Sequence, residues 1–505
     1  MIKSYLKNSL KLQKEDGYLV FIFILVASAI FLKSFFSSNG YISNDSTYYL
    51  SLAQNLLEGN GFYTPSPVSV EREFFSIWPI GYPFLIYLFA KLTGVSVFVA
   101  SKFLNVIFLG FILVIMRGLF KKNSYLYGLL LLSGSLLNVF SQTWSETAFI
   151  FGLVWFAASL YKFVNNSDKL FIIAISLFFS SLFLFLSRYI GAFSFGLVGL
   201  FGIYFGVKKN NKKYLILIVT SCISLLVIMG YLYHNFLETG FITGTTKQSS
   251  METNSALLIN LSKASFSEII IHQTDTYFRE NFIFLAQYAL IGFLTFKYRK
   301  RVFRPFLFSV KKNFSIPFIF GLTGITYLFS IVVIRWNVHL DSFGYRFLAP
   351  GFFLIFIAGI NYMEKNMLKK YFNLFKLLLI FTTVCSWIYN VPLNIIEMKG
   401  RTYIETVEDI KTKYQKVERN SIVIFGSKHL NYLYTGLTAS YPCTFPQCKT
   451  ESWSEYFQRI DPENKRTIYL EVPVDLNSEN KDTFVVPLTE RRKDSLLNSI
   501  RKEVF

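Results

Sequence analysis

Residues 44–62 read NDSTYYLSLAQNLLEGNGF and are followed by a polar loop and then by WPIGYPFLIYLFAKLTG at residues 78–94. A long apolar segment precedes this stretch and many more follow it, so the stretch is the first long loop of a chain that crosses a membrane repeatedly. Apolar residues recur between Tyr49 and Leu56 at the i, i+3, i+4, i+7 spacing of an amphipathic helix. The second apolar run ends near Leu92, short of the ~20 residues that a membrane-spanning helix needs. We therefore expect two surface helices within this loop.

The composition of the whole chain is that of an integral membrane protein. Of its 505 residues, 52% are hydrophobic and 19% aromatic, and the mean hydropathy is +0.40. Only 16% are charged, against roughly 25% in soluble proteins. The first apolar segment has no small-residue cleavage site, so we interpret it as a retained anchor. We predict about eleven membrane-spanning helices, at residues 18–36, 95–116, 125–142, 146–164, 170–187, 190–207, 214–233, 281–297, 314–334, 347–363 and 371–390.

The net charge of +20 follows from membrane topology and gives no reason to expect a nucleic-acid partner. Lysine and arginine cluster in alternate connections, at residues 3–14, 117–122, 162–169, 208–213, 297–312 and 365–370. All of these connections fall on the side of the N-terminus, which the positive-inside rule makes cytoplasmic. We therefore predict a multi-pass protein of the inner (cytoplasmic) membrane. Its basic side would also be attracted to anionic membrane lipid.

The last hundred or so residues differ in kind from the rest. After about Asn390 the hydropathy falls, and short β-type runs alternate with helix-like stretches. The β-type runs are residues 421–425, 467–472 and 483–486, and the helix-like stretches are residues 402–417 and 491–501. We therefore predict a membrane domain at residues 1–390, which includes the first extracytoplasmic loop at residues 37–94. A small extracytoplasmic α/β domain follows at residues 391–505.

The four cysteines divide between these two domains. Cys443 and Cys448 lie five positions apart in the outer domain, where an oxidising compartment would allow a disulfide. Two free thiols are the alternative. Cys222 and Cys385 fall inside predicted spans and are interpreted as small apolar core residues. The sequence has no CxxC pair or His–Cys cluster of the kind that binds zinc.

The first loop combines three features: the acidic Asp45 just after the first apolar segment, the helix YYLSLAQNLLEGNGF, and the segment PIGYPFL. This combination resembles the GT-C glycosyltransferases. It is most similar to the glycosyltransferase 39-like branch that contains the protein O-mannosyltransferases and the lipid A aminoarabinose transferase. The resemblance implies a GT-C-like membrane fold and a lipid-phosphate-linked sugar as donor. It also implies a catalytic role for the first-loop aspartate, which is Asp45 here.

Two acidic residues at helix starts are candidates for the site. Asp45 is either the N-cap of the helix that follows, which would stabilise that helix by ~1 kcal/mol, or a general base. Because Ser43, Asn44 and Ser46 can also cap, we favour catalysis. Glu146, in the segment SETAFIFGL, either interacts with the helix dipole or lines the pocket, as the resembling GT-C pattern implies. Both interpretations of Glu146 stay open.

Three arginines are predicted on the outer side, against the positive-inside trend. Arg188 and Arg335 follow helix ends, where the helix dipole favours a cation. Arg346 instead precedes a span, at the positive end of the helix dipole, and therefore needs an anion. A phosphate of a lipid carrier, held by the guanidinium fork, is the economical candidate. We predict donor-phosphate binding by Arg346, then Arg188, then Arg335; RFLAPGFF and SRYIGAF also resemble GT-C segments.

Further residues are predicted to line the pocket. His339 and Asp341 share the short loop between two of the arginines, although polar loop residues without a function are the alternative. Tyr345 and Tyr82 complete the predicted pocket.

Metal binding is left open by the sequence. The resembling aminoarabinose transferases hold a metal with a first-loop glutamate and a later outer histidine. Their Glu-Lys before the PxGY segment is replaced here by Ser76 and Ile77. Glu71, Glu73 and His272 are the remaining candidates, so no cofactor is assigned and a divalent metal stays an alternative.

Together these features predict an inverting glycosyltransferase at the outer membrane face. Asp45 would take the proton of an acceptor hydroxyl, and the arginines would stabilise the leaving polyprenyl phosphate. The donor and the inverting outcome follow from the resemblance, and the acceptor is a glycan, a lipid or a protein. A lipid or polyanion transporter or flippase is the rival class, because ionisable residues inside membranes often mark transport pathways. A non-catalytic subunit of an envelope polysaccharide system is a further alternative.

Overall fold

The structure is a computed structural model that describes residues 13–65, 72–243, 250, 252–269, 314–338, 343–397, 400–417, 421–424, 438–440, 458, 467–473 and 483–487. The α-helices of these residues are α1 Lys14–Phe36, α2 Asn44–Leu57, α3 Gly81–Thr93, α4 Val97–Phe120, α5 Ser124–Leu129, α6 Gly134–Ser141, α7 Glu146–Asn165, α8 Leu170–Ser187, α9 Phe193–Val207, α10 Asn211–Thr239, α11 Asn254–Ile269, α12 Ile316–Asn337, α13 Tyr345–Asn366, α14 Lys369–Ile388, α15 Asn394–Glu397 and α16 Tyr403–Lys413. The strands are β1 Tyr63–Pro65, β2 Arg72–Phe74, β3 Ile422–Ile424, β4 Thr438–Ser440, β5 Ile468–Pro473 and β6 Thr483–Pro487.

The predicted polytopic helical fold is confirmed. Within the described residues, nine helical segments are long and apolar enough to cross a membrane. They coincide with nine of the predicted spans, because about 20 apolar residues in a row are both the sequence signal and the length that a bilayer requires. The predicted span at residues 281–297 lies outside the described residues, so the total of about eleven stays a prediction.

Residues 125–142, predicted as one continuous span, form a helical hairpin with α4. This second arm of the hairpin is interrupted and is not one continuous helix. At one end of the hairpin the rings of Phe120 and Tyr127 stack with their centroids 3.6 Å apart. At the other end the Lys102 amine donates to the Ser141 carbonyl over 2.6 Å. The arm therefore runs antiparallel to α4, but as α5, a 3₁₀ turn and α6 in succession.

The break in this arm has a local cause. Ser133 has an extended backbone, with ψ 145°, which ends the 3₁₀ turn before α6 begins. The next residue, Gly134, faces the Asn390 side chain, and a Cβ at this glycine would lie 2.8 Å from the amide nitrogen. A larger residue at position 134 would displace the Asn390 side chain, so glycine suits the close packing of the two segments.

The first loop forms the two predicted helices, α2 and α3. The α2 helix stops where Gly59 takes up φ +79°, a left-handed backbone conformation that glycine adopts without strain. The strands β1 and β2 then pair antiparallel, with Tyr63 opposite Phe74. Buried side chains of both helices, among them Tyr49 and Tyr82, form an apolar core separate from that of the helical bundle. We call the end of the bundle that carries residues 37–94 the loop face.

The C-terminal residues that the structure describes add one helix and a mixed sheet. Its strand order is β4-β3-β5-β6, with β3 parallel to both neighbours and β6 antiparallel to β5. The α16 helix packs on the loop face, where the Tyr403 ring stacks on Phe98 with centroids 4.0 Å apart. The division of the chain after residue 390 stays a prediction, and Cys443 and Cys448 lie outside the described residues.

Candidate functional site

Four charged side chains meet at the loop face. The Arg346 guanidinium donates from Nη2 to Asp45 Oδ2 and from Nε to Glu146 Oε1. Arg188 forms an ion pair with the same Glu146 oxygen. We call these four residues the arginine–carboxylate cluster. Two carboxylates and two guanidinium groups give the cluster no net formal charge.

Each member of the arginine–carboxylate cluster comes from the end of a different helix. Asp45 lies in the first turn of α2, Glu146 begins α7, Arg188 follows α8 and Arg346 is the second residue of α13. The two carboxylates and Arg188 are placed favourably with respect to their helix dipoles, whereas Arg346 is not. Its partners in the structure are the carboxylates of Asp45 and Glu146, and the lipid-carrier phosphate expected beside it from the sequence stays a prediction.

Ser43, rather than Asp45, caps α2. The Ser43 hydroxyl accepts from the backbone N–H of Ser46 over 3.4 Å, and it also accepts from the Trp144 indole N–H over 2.6 Å. The Asp45 carboxylate is consequently directed to Arg346 and not to its own helix backbone. This geometry argues against the capping interpretation of Asp45, and its catalytic role stays a prediction.

Aromatic rings surround the Arg346 guanidinium. Its central carbon lies 4.7 Å from the ring centroid of Trp144, 5.6 Å from that of Phe347 and 6.0 Å from that of Trp78. Tyr345 in turn stacks on Trp144, with centroids 6.2 Å apart. Rings at these distances attract the cation and restrict its movement. The sequence analysis did not assign these tryptophans, although Trp144 stands two residues before Glu146.

Solvent access differs sharply within the arginine–carboxylate cluster. The Glu146 side chain is fully buried and the Arg188 side chain is 8% exposed. Asp45 and Arg346 are the accessible members, with side chains 17% and 15% exposed. A molecule that approaches the loop face therefore meets Asp45 and Arg346 first, while Glu146 supports the arginines from behind.

Two buried tyrosines lie beneath this cluster. The Tyr49 hydroxyl shares a hydrogen bond with the Ser145 hydroxyl over 3.2 Å, and the Tyr82 hydroxyl donates to Asn105 Oδ1 over 3.1 Å. The two tyrosine rings meet edge to face, with centroids 5.5 Å apart. Burial raises the pKa of both hydroxyls, so both stay protonated and neither can act as a base at neutral pH. The pocket role of Tyr82 stays a prediction.

A second polar cluster holds the end of α6, from which the chain leads to Glu146. Asn105 donates from its amide to the carbonyls of Phe140 and Gln142, over 2.9 and 3.0 Å. The Lys102 amine donates to Ser141 O over 2.6 Å. These donors satisfy carbonyls that the helix end leaves without intrahelical partners.

Two residues of α1 complete this second cluster. The Ser34 hydroxyl also donates to Ser141 O, over 3.2 Å. The Lys33 amine donates to Asn138 Oδ1 over 2.6 Å and to Asn390 O over 3.2 Å. We call the four donor residues the α6-end cluster: Lys33, Ser34, Lys102 and Asn105. None of them was predicted as a site residue, because each lies within a long apolar segment.

The other predicted site residues lie apart from these clusters or outside the described residues. Arg335 pairs with Glu252 over 2.9 Å and lies 4.4 Å from the ring centroid of Phe343, so its role in phosphate binding stays a prediction. Glu73 is exposed on β2. The predicted residues that fall outside the described part of the chain are Glu71, His272, His339 and Asp341.

Among the described residues, the donor set of the site does not fit a divalent cation, and metal binding by the whole chain stays untested. In the described part of the chain, no three His, Cys, Asp or Glu side chains come close enough together to hold a metal ion. The two carboxylates of the arginine–carboxylate cluster are both ion-paired with arginine. Glu73, the one metal candidate among the described residues, does not join them.

Comparison with solved structures identifies the fold. ArnT from Cupriavidus metallidurans in the apo state matches with a TM-score of 0.51 and 12% identity, over 91% of this chain and 93% of ArnT. ArnT bound to undecaprenyl phosphate matches with a TM-score of 0.52 and 11% identity, over 93% of this chain and 97% of ArnT. The apo oligosaccharyltransferase of Archaeoglobus fulgidus matches with a TM-score of 0.52 and 12% identity, over 92% of this chain and 70% of that protein.

Comparison of the amino-acid sequence alone gives no match. No protein-family model matches it, and neither does any curated protein. At these identities the structural likeness shows the fold alone. The chain has the GT-C fold, and the resemblance seen in its first loop is confirmed at that level.

Proposed function

We propose that this protein is an inverting glycosyltransferase that moves a sugar from a polyprenyl-phosphate-linked donor to an acceptor hydroxyl. In this proposal the loop face lies at the outer side of the inner membrane, and the reaction takes place there. The observation that carries the proposal is the pairing of Asp45 with Arg346 at the accessible side of the arginine–carboxylate cluster. Such a transfer needs a base for the acceptor and a cation for the leaving phosphate, and Asp45 and Arg346 offer a carboxylate and a guanidinium group at the accessible side of the cluster.

The reaction begins with the acceptor. Asp45 accepts the proton of the acceptor hydroxyl, and the hydroxyl oxygen forms a bond to the anomeric carbon of the donor sugar. The bond between that carbon and the phosphate oxygen breaks, and the phosphate leaves with the electron pair. Attack opposite to the leaving group inverts the anomeric configuration. The proton on Asp45 is then released to water.

The leaving phosphate gains negative charge as this bond breaks. Arg346 meets that charge with a planar set of N–H donors, which suits a phosphate better than a lysine would. Arg188, on the far side of Glu146, adds a second positive charge. Cations fixed before the reaction stabilise developing charge with little reorganisation. The buried Glu146 fixes both guanidinium groups, which makes it a positioning residue.

The solved structures give independent support for the donor class. ArnT was crystallised with undecaprenyl phosphate, and the Archaeoglobus oligosaccharyltransferase AglB was solved with a dolichol phosphate and an inhibitory peptide. AglB matches with a TM-score of 0.51 and 12% identity, over 90% of this chain and 69% of AglB. Both are GT-C proteins, and each was solved in complex with a lipid phosphate. By analogy of fold, a polyprenyl phosphate suits this chain as well.

The test is a transfer assay with radiolabelled polyprenyl-phosphate sugars in membranes that contain the protein. Wild type should transfer one of these sugars, and Asp45→Asn should lose ~10²–10⁴-fold of the rate. Glu58→Gln is the matched control, because it neutralises an exposed carboxylate at the other end of the same helix and should leave transfer unchanged.

Two results would contradict the proposal. Equal transfer by wild type and Asp45→Asn would exclude Asp45 as the base. Movement of a labelled lipid phosphate across the membrane without any transfer of its sugar would instead establish the transporter class.

A further inference from the structure

The carboxylates of Asp45 and Glu146 converge on one point, and the side chain of Arg346 occupies it. Its Nη2 and Nε atoms each donate to one of the carboxylates, so a single guanidinium bridges the two. Paired carboxylates of this kind are the usual ligands of Mg²⁺, Mn²⁺ or Ca²⁺. Here the bridging cation is part of the chain.

The charges that the described residues place around this point leave no room for a second cation. Arg346 and Arg188 already balance the two carboxylates, and arginine keeps its charge at any physiological pH. A divalent ion between Asp45 and Glu146 would add two positive charges next to two guanidinium groups. With Glu146 fully buried, water would screen that repulsion only weakly.

The surroundings also keep Arg346 in place. Trp144 lies 4.7 Å from its central carbon and Phe347 lies 5.6 Å from it. Trp144 is itself fixed by its hydrogen bond to Ser43 over 2.6 Å. Removal of the guanidinium to admit a metal would cost these contacts together with both ion pairs.

We infer that the Arg346 guanidinium occupies the position, and supplies the positive charge, that a divalent metal would have in this site. We also infer that glycosyl transfer by this chain needs no metal ion. The catalytic half of this inference, that transfer needs no metal ion, rests on the proposed function. The structural half does not rest on it. It states that the two carboxylates bind a divalent cation once the guanidinium is removed, and not before.

The structural half is tested by electron paramagnetic resonance of Mn²⁺ bound to the full-length protein in detergent. Arg346→Met should bind about one Mn²⁺ per chain, at least roughly tenfold more than wild type under the same conditions. The double variant Asp45→Asn with Arg346→Met should lose that binding. Arg335→Met is the matched control, since it also breaks an arginine–carboxylate pair, but one in which a single carboxylate, that of Glu252, takes part.

Folding of Arg346→Met is checked by its elution as a single species in size-exclusion chromatography. Arg346→Lys is a second variant, which keeps a positive charge at this position. Arg346→Lys should bind as little Mn²⁺ as wild type. Stoichiometric Mn²⁺ in wild type that disappears in Asp45→Asn would overturn the inference. Failure of a folded Arg346→Met to bind Mn²⁺ would overturn it too, because the carboxylates would then not form a cation site.

The catalytic half is tested by transfer in the presence of EDTA. Unchanged transfer supports the inference, whereas transfer that EDTA abolishes and Mg²⁺ or Mn²⁺ restores contradicts it. If wild type transfers no sugar under any condition, the proposed function fails. The Mn²⁺ titration still decides whether Arg346 holds the place of a metal, so the two failures are distinguishable.

Discussion

The two polar clusters near the loop face use similar buried cations for different purposes. In the arginine–carboxylate cluster, the cations face carboxylates, and two members are open to solvent with 15–17% of the side chain exposed. In the α6-end cluster, Lys33 and Lys102 are 1% and 0% exposed, and their partners are carbonyl and amide oxygens. Solvent access and charge pairing therefore distinguish the cluster proposed to meet substrate from the cluster that fixes the chain, whereas burial of charge alone does not.

The two clusters are also connected. The α6-end cluster holds residues 140–142, and the chain then runs through Trp144 to Glu146, on which both arginines converge. Damage to the accessible members of the arginine–carboxylate cluster, Asp45 and Arg346, should first remove activity. Damage to the α6-end cluster should loosen the fold, and damage to the buried Glu146 should do both. Four substitutions test this division.

The largest effect is expected for Glu146→Gln, which leaves the guanidinium groups of Arg188 and Arg346 without their shared carboxylate. Breaking a buried ion pair typically costs about 3–5 kcal/mol, so we expect a loss of that size in the free energy of unfolding. Transfer should fall by at least about 10²-fold, because both phosphate-binding cations lose their position. Thermal unfolding in detergent and the transfer assay measure the two effects. A stable, active Glu146→Gln would show that Glu146 holds neither arginine.

Arg346→Met should act mainly on the reaction. Loss of one preorganised donor to a developing negative charge typically lowers the rate by ~10²–10³-fold. Arg346→Lys restores a positive charge without the planar fork, and it should recover only part of that loss. Rates of transfer at saturating donor compare the two variants. Full activity of Arg346→Met would mean that the phosphate is bound elsewhere.

Asn105→Leu should act mainly on stability. It leaves the carbonyls of Phe140 and Gln142 and the hydroxyl of Tyr82 without a partner, at an expected cost of about 2–3 kcal/mol. Transfer per folded molecule should stay within about tenfold of wild type, because no group of the arginine–carboxylate cluster is removed. An unchanged unfolding temperature together with a hundredfold loss of transfer would place Asn105 in the catalytic site.

The smallest effect is expected for Tyr82→Phe. The variant removes one buried hydrogen bond, to Asn105, and should lower the free energy of unfolding by about 1 kcal/mol. Transfer should change less than about threefold, since the ring still packs against Tyr49. The transfer assay checks this directly. Abolished transfer would make Tyr82 a pocket residue in contact with substrate.

The positions of most spans and of both loop helices could be predicted from the sequence, because length, apolarity and helical spacing are local properties. Asp45, Glu146, Arg188 and Arg346 could likewise be selected one by one, since each stands at a helix end where its charge needs an explanation. The ion pairs among these four residues could not be predicted, because they depend on how four helix ends meet in space. The sequence suggested an external phosphate as the anion beside Arg346, and the structure adds two carboxylates.

The α6-end cluster was not predicted from the sequence, for a related reason. Lys102 and Asn105 lie in the apolar run predicted as a span at residues 95–116, and nothing local tells which side of that helix faces protein. Their partners are backbone carbonyls at the end of α6. The predicted span at residues 125–142 gave no sign that α6 is a separate helix. Gly134, just after the break at Ser133, packs against the distant Asn390, which a window of neighbouring residues does not contain.

The most direct test of the division between the two clusters compares Asp45→Asn with Asn105→Leu in one preparation of wild type and variants. For each protein, the transfer rate per folded molecule is measured beside the unfolding temperature. We predict that Asp45→Asn keeps the wild-type unfolding temperature and loses at least about 10²-fold of the rate, while Asn105→Leu unfolds earlier and transfers nearly normally. Wild-type transfer by a folded Asp45→Asn would contradict the assignment of the arginine–carboxylate cluster as the catalytic site.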